Sequence, residues 1–527
     1  METKLRLPSI FNDVIGPVMR GPSSSHCAAS LRIGRFARDL MAGRIDSVHV
    51  RFDRAGSLAQ THHSQGSDMG LCGGLLGWEA TDPRLVDSQS ALADAGIDLR
   101  IEIADLGDPH PNTYRLELVG GGERHELVAI STGGGMMEIV EIDGAAVSLL
   151  GDRWASVWFG GVEQGLERCS ELVDCLTTWE EVDCLTVYSG PAGHLVLACG
   201  DVPLGAATEA AVRQRFPGWT LRRIAPVLPV LTPAGMAVPY ATAAEMLAYN
   251  EGRGLALWEL AVTYEQARGG LAEAQVLAMM AERVAVMRGG VAIGLQGTEY
   301  ADRILGPQAG RFVVMDQAGR LLDGGVLNRM IAYVTALMEA KSAMEVIVAA
   351  PTAGSCGGLP GACLGAADAM GLADADVTRA MLAAGMIGVF ICGQATFAAE
   401  VAGCQAECGA GSAMAAAALV NLAGGSARQA VDAASMALQN TLGMICDPVA
   451  TRVEVPCLGK NVLAAANALA CANMALAGFN AVIPLDEVIQ AMAAVGCSLP
   501  SELRCTALGG LSVTPAAREV ERRLRGE

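Results

Sequence analysis

Lysine occurs only three times in 527 residues, at Lys4, Lys341 and Lys460. Histidine occurs seven times, and none follows His194. Chemistry in the C-terminal part must therefore use cysteine, carboxylate or one of two lysines, or borrow an imidazole from the N-terminal part. Aromatic residues are 4% of the chain against 52% hydrophobic residues overall. With so much alanine and glycine, this composition points to close-packed helices and away from a β-sandwich. The net charge of −19 leaves no basic surplus, which argues against nucleic acid or an anionic membrane as a partner. No uninterrupted run of 18 strongly apolar residues occurs, and residues 412–425 are too short and too alanine-rich to span a bilayer. The first residues lack the long apolar stretch of a secretory signal. The expectation is a soluble, cytoplasmic protein. In that compartment sixteen cysteines are read as buried thiols, catalytic groups or metal ligands, not disulfides. No Cys-x-x-Cys pair is present, which excludes the usual zinc-ribbon and thioredoxin patterns.

The length predicts about three domains. Residues 1–145 read as an α+β domain. Alternating apolar residues predict strands at 47–53, 98–106, 112–120 and 125–144, and an amphipathic helix covers 83–97. Residues 146–234 carry a strand near 154–158, a helix at 161–176, strands at 182–188 and 194–199, a helix at 206–216 and a strand at 219–227. That βαββαβ order is ferredoxin-like and suits either a regulatory or a plain linking unit. Three prolines mark a boundary near residue 235. Residues 235–527 then show helical periodicity over 241–285, 325–345, 361–392, 411–423, 428–443, 459–477 and 485–495, an all-α domain.

Six stretches hold residues able to do chemistry. "GPVMRGPSSSHCAASLRIGR" (16–35) places Ser23, Ser24, Ser25 and His26 at a helix start, where free N–H groups favour an anion; Arg32 and Arg35 add charge. An ordinary N-cap is the simpler reading. "AGSLAQTHHSQGSDMGLCGGLLG" (55–77) sets His62 and His63 beside Asp68 in what reads as a Gly/Ser-rich loop, and "DPHPNTYR" (108–115) adds His110. Adjacent histidines point to different sides, so at most one of the pair faces a site. "VAAPTAGSCGGLPGACLG" (348–365) offers Thr352, Ser355 and glycines that let backbone amides approach a ligand. "AGCQAECGAGSAM" (402–414) supplies Cys404 and Cys408, and "ICDPVATRVEVPC" (445–457) supplies Cys446 and Cys457 around two prolines. Thiolates at such positions suit an iron–sulfur cluster, while Cys471 and Cys497 read as helix packing.

Taken together, these stretches resemble the iron–sulfur-dependent L-serine dehydratases (L-serine ammonia-lyases). The motifs are "GPSSSHCAASLRIG", "GSLAQTHHSQGSDMGLCGGLLG", "HPNT", "PTAGSCG", "GCQAECGAG", "CDPVATRVEVPC" and "CTALGG". They cover residues 9–145 and about 235–515, a β-type part and an α-type part in one chain. The resemblance implies a [4Fe–4S] cluster held by Cys404, Cys446 and Cys457, with Cys408 set aside and no pyridoxal phosphate. It implies an open iron acting as Lewis acid in the dehydration and deamination of L-serine to pyruvate and ammonia, a role in amino-acid catabolism and gluconeogenesis, and a homodimer. It also implies a divergent ACT-like middle domain. Candidates for the base are His26, His62, His63 and Lys341, with His110 beside them. Ser23, Ser24, Ser25, Thr352, Ser355 and Arg504 are candidates for binding the amino-acid substrate. The chain departs from the family pattern at Cys27 (for Thr), "QATFA" (394–398), Thr451 (for Gly) and Cys505 (for Glu). These departures leave two further readings: the same elimination on another β-hydroxy or β-thiol amino acid, or a non-catalytic amino-acid sensor. Because the sequence ends "RRLRGE", Cys505 is the thiol expected to occupy the open iron.

Overall fold

The computed structural model describes residues 7–179, 182–301 and 303–527. Its strands, in chain order, are β1 (Val18–Met19), β2 (Ser47–Asp53), β3 (Asp98–Ala104), β4 (Thr113–Gly120), β5 (Glu123–Gly133), β6 (Met136–Ile142), β7 (Ala145–Leu149), β8 (Trp154–Gly161), β9 (Cys184–Gly190), β10 (Gly193–Gly200), β11 (Thr220–Ile224) and β12 (Ile347–Val348). A six-stranded sheet runs β3-β2-β4-β5-β6-β7. Only β2 and β3 are parallel, joined by a helical crossover; the other pairs are antiparallel, and all of them but β2 with β4 join neighbours in the chain. Alternation decides the buried face: Val48, Val50 and Phe52 of β2 and Tyr114, Leu116 and Leu118 of β4 all point into one core. Helix Ala29–Leu40 covers that face and meets helix Ser67–Leu75. A Cβ on Gly70 would lie 2.0 Å from the Cys27 carbonyl oxygen, and one on Gly74 2.1 Å from that of Leu31. The Gly/Ser-rich stretch expected to be a loop is therefore largely helix: glycine here removes side chains so that two helix backbones can touch.

The strands β8 to β11 form a second sheet, ordered β11-β8-β10-β9 and wholly antiparallel. One face, with Trp158, Val196, Ala198 and Leu221, packs on helices Gly165–Leu176 and Ala206–Arg215. The other face, with Val157, Leu195 and Leu197, joins the core of the first sheet. The middle unit is thus welded to its N-terminal neighbour.

The C-terminal unit is helical, and its centre is the helix Ala410–Leu422, in which every residue but Asn421 is buried. The single helical run expected at 241–285 is broken into Ala243–Asn250, Leu257–Gly269 and Glu273–Gln296, with Gly252, Gly254 and Gly270 in left-handed conformations at the breaks. Among the described residues, Asp374–Gln394 alone is long and apolar enough to cross a membrane, and 78% of its apolar window is buried inside the protein, as in a core helix.

The first residues do not belong where the sequence put them. Ile10, Phe11, Val14 and Ile15 lie in the helical core, not in the α+β unit assigned to 1–145. Gly385 and Gly388 provide the notch: a Cβ on either would strike Ile10 or Val14. β1 then pairs with β12, and Asn12 exchanges hydrogen bonds with Val230 in both directions. The first sheet also reaches Leu149, a few residues past the expected boundary at 145. Glu265 anchors the N-terminal segment, accepting from the Ile10 N–H and from Ser9 Oγ at 3.2 Å. Burial pushes its carboxyl up to about 7, against the opposing pull of those bonds and of Arg268. The folded state therefore holds a proton that the unfolded chain releases near pH 4.5, so stability from this group falls as pH rises from about 4.5 to 7, by on the order of 3 kcal/mol. Glu265→Gln is expected to flatten this part of the profile; thermal unfolding of both proteins between pH 5 and 8 measures it.

Candidate active site

Three chain breaks in the helical unit bring cysteines together. Cys404 precedes a short turn, Gln405–Gly409, that runs straight into helix Ala410–Leu422. Cys457 is the first residue of helix Cys457–Leu476. Cys446 sits on an extended segment that exchanges backbone bonds with the chain near Arg504: its N–H donates to the Leu503 carbonyl at 2.9 Å, and the Cys505 N–H donates to its own carbonyl at 3.0 Å. Cys404, Cys408, Cys446 and Cys505 pack as one group, and Cys457 is close enough to feel the Cys404 charge. Lys460, one turn into the Cys457 helix, bonds the Ile445 carbonyl at 2.6 Å and Asp447 at 2.8 Å, fastening the Cys446 segment to that helix. Asn461 donates to the Gly354 and Cys457 carbonyls and accepts from the Gly357 and Gly358 N–H groups, which fixes the glycine-rich loop against the same helix.

The thiols titrate apart. A bond from the Cys408 thiol pulls Cys404 down to about 7 despite burial, with help from Lys460. Cys446 is raised by its contact with the Cys505 thiol and by burial. Burial and the Cys404 charge push Cys457 up to about 12. Burial opposes the Lys460 charge, yet Cys404 and Asp447 together raise it above the ordinary lysine value. A negative charge on sulfur is thus balanced by a fixed ammonium.

The N-terminal unit closes over this group. Ser24 Oγ accepts from the Ala353 N–H at 3.1 Å, and Ser25 Oγ donates to Glu400 at 2.7 Å. Gln65 reaches Cys505 Sγ at 3.6 Å and the Thr451 carbonyl at 3.4 Å. Thr352 Oγ1 donates to Glu407 at 2.7 Å, and Thr352 and Ser355 cap each other. Burial, with the charges of Cys404 and Glu400, pushes the Glu407 carboxyl up to about 8. His26 is fully buried, its Nδ1 2.9 Å from Ser23 Oγ and its Nε2 2.7 Å from Thr61 Oγ1. Burial holds both His26 and His110 below the ordinary histidine value, and the Glu400 charge opposes that at each. His62 Nδ1 bonds Asp68 at 2.7 Å, leaving Nε2 uncommitted.

Two comparisons bear on this arrangement. The chain matches the description "Serine dehydratase alpha chain" over residues 252–512 and "Serine dehydratase beta chain" over residues 15–104. It is 38% identical to a probable L-serine dehydratase alpha chain of Bacillus subtilis over 251 residues, 48% of this chain and 84% of that one. The chain belongs to the serine dehydratase family. The corresponding beta chain of Bacillus subtilis is 38% identical over 149 residues, 28% of this chain and 66% of that one. An L-serine dehydratase of Streptomyces coelicolor is 28% identical over 519 residues, 94% of this chain and 96% of that one. Alpha-type and beta-type parts are therefore fused here, and the family makes the chain a lyase.

Within this serine dehydratase, the site assembles Ser24, Ser25, His26, Thr352, Ser355 and the thiols, while other expected residues serve different ends. Lys341 is buried and donates to the Val453 carbonyl, which braces the loop before Cys457, and its charge is also felt at Cys457 and Glu407. His63 is 79% exposed at the side chain. Arg504 lies beside Cys446 through the backbone, but its guanidinium donates to the Val401 carbonyl at 3.2 Å. Arg32 and Arg35 are engaged by Gly135 and Glu79, and Cys497 is exposed on its helix. The residues missed in the sequence are Glu400, Glu407, Asn112 and Gln65. Glu407 stood inside the quoted "GCQAEC", where its three-residue spacing from Cys404 was the available signal.

The donor set fits an iron–sulfur cluster. The three sulfurs are buried, soft and free of disulfides, and a fixed lysine offsets their charge. Among the described residues no three Cys, His, Asp or Glu side chains stand as ligands of a single metal ion would.

Proposed function

We propose that this serine dehydratase converts L-serine to pyruvate and ammonia with a [4Fe–4S] cluster held by Cys404, Cys446 and Cys457. The observation that supports it most is the packing of buried Cys404 and Cys446 in one group, with buried Cys457 in the adjoining cluster near enough to feel the Cys404 charge, beside the segments that carry Ser25, His26 and Gln65. When bound, the cluster supplies a Lewis-acidic iron that makes the β-hydroxyl a better leaving group. The protein supplies the rest. His62 is the proposed base: Asp68 accepts its Nδ1 proton and aims the Nε2 lone pair, as a base needs. His26 has both ring nitrogens engaged and positions the Ser23–Ser25 loop. Removal of the Cα proton and loss of the β-hydroxyl give aminoacrylate, which tautomerises to an imine and is hydrolysed to pyruvate and ammonia. The βαββαβ unit, with its β11-β8-β10-β9 sheet, supports a ferredoxin-like, ACT-like module.

The test is anaerobic reconstitution followed by ammonia release from L-serine, L-threonine, L-cysteine and 3-hydroxyaspartate. A brown protein with turnover highest on L-serine is expected. A colourless protein after reconstitution, or full turnover without iron, would end the cluster reading. Preference for another substrate would move the specificity to one of the departures at Thr451 and Cys505.

A further inference from the structure

Two buried polar groups at the junction of the N-terminal and helical units are left incomplete. Glu400 is 6% exposed. Its Oε1 accepts from Ser25 Oγ; among the described residues Oε2 takes no hydrogen bond and keeps some contact with solvent, and the sole basic side chain within ion-pair distance is the imidazole of His26 at 3.6 Å. A buried carboxylate without a permanent lysine or arginine partner is costly. Asn112 is fully buried; its Oδ1 accepts from Ser57 Oγ, and among the described residues its Nδ2 has no hydrogen-bond partner. An unmet buried amide N–H costs comparably and is rare. The two lie in one network. The Ser131 N–H donates to the Asn112 carbonyl at 3.1 Å, Ser131 Oγ donates to the Ser25 carbonyl at 2.7 Å, and Ser25 Oγ donates to Glu400. β5 and the Glu400 segment also touch: a Cβ on Gly133 would lie 2.9 Å from the Ala398 nitrogen. Glu400 thus offers a carboxylate with no fixed counter-charge, near enough to Glu407 to raise its carboxyl as Cys404 does, and Asn112 offers a donor that lacks an acceptor.

We propose that Glu400 and Asn112 recognise the two ends of an amino-acid substrate, Glu400 receiving the α-ammonium and the Asn112 amide donating to a carboxylate oxygen. This rests on the reading above for the reaction, but not for the ligand class. The pair selects α-amino acids over hydroxy acids, because a hydroxy acid would leave Glu400 without its cation.

The test uses the reconstituted holoenzyme and three ligands: L-serine, 3-hydroxypropanoate, which lacks the ammonium, and ethanolamine, which lacks the carboxylate. Affinities come from calorimetry and competitive inhibition. Glu400→Gln is expected to weaken L-serine and ethanolamine about 10- to 100-fold, the range for a bond to a charged group, and to leave 3-hydroxypropanoate within about threefold. Asn112→Asp is expected to weaken L-serine and 3-hydroxypropanoate while sparing ethanolamine, and Glu400→Asp to restore part of the amine preference. Equal weakening of all three ligands by Glu400→Gln would assign it a merely structural role and overturn the proposal, as would no change in any. An enzyme that binds L-serine with this amine preference yet fails to turn it over would sink the proposed reaction and leave the recognition pair standing.

Discussion

Cys457→Ser, purified without oxygen and reconstituted, is expected to stay colourless and to lose L-serine turnover by about a thousandfold or more, the rate equivalent of the several kcal/mol that a Lewis-acid metal supplies. The substitution is nearly isosteric at a buried helix start, so it removes the ligand without opening a cavity. A serine hydroxyl stays protonated at neutral pH and is a poor partner for iron, whereas the thiol of Cys457, though raised to about 12 by burial, ionises when a metal takes its proton's place. Iron and sulfide content separate loss of the cluster from loss of catalysis. Cys471→Ser is the control: that thiol is also buried on the same helix, but it meets Asn440 and Asn467, away from the site. A colourless Cys471 variant, or a brown and active Cys457 variant, would refute the ligand assignment.

Gly133→Val is expected to cost about a hundredfold in kcat/KM on L-serine with only a modest drop in the unfolding midpoint. Gly133 ends β5 with φ +102°, and a Cβ there would fall 2.9 Å from the Ala398 nitrogen and 3.0 Å from its Cβ. Ala398 cannot retreat without carrying Glu400, two residues on, away from Ser25. A displacement near 1 Å at a reacting centre is worth about two orders of magnitude in rate. The backbone strain of a branched residue at positive φ adds about 1–3 kcal/mol. Gly122→Val isolates that strain, because Gly122 has φ +82° and nothing within 4 Å of a Cβ. Activity loss shared equally by both variants would show that strain alone is responsible, not the closure between the units.

The elements with strong local periodicity were readable from the sequence. β2 and β4 alternate in a way that few other structures tolerate, β10 is a short continuous apolar run, and the helices after residue 326 carry apolar faces bounded by glycine. The thiols were readable through their motifs. Lys341 was not: a lysine in a histidine-free region invites a catalytic reading, and only its burial against the Val453 carbonyl shows the structural use. Glu400 and Asn112 were equally silent, because an unmet charge or an unmet amide is a property of surroundings, not of sequence. The same holds for Ile10–Val14, whose short apolar run fits any core until Gly385 and Gly388 show which one has room.

That plug has a consequence for the order of assembly. Val18 pairs with Val348, 330 residues later, and Ile10 fills a notch cut by Gly385. On the ribosome the segment around Ile10 is made long before the notch it fills. Until residues near 390 emerge, Ile10, Phe11 and Val14 must wait exposed or be sheltered by a chaperone, and contacts of such high sequence separation close slowly. Val348, Gly385 and Gly388 all precede Cys404, Cys446 and Cys457, so the place that receives the plug is made before the thiols are.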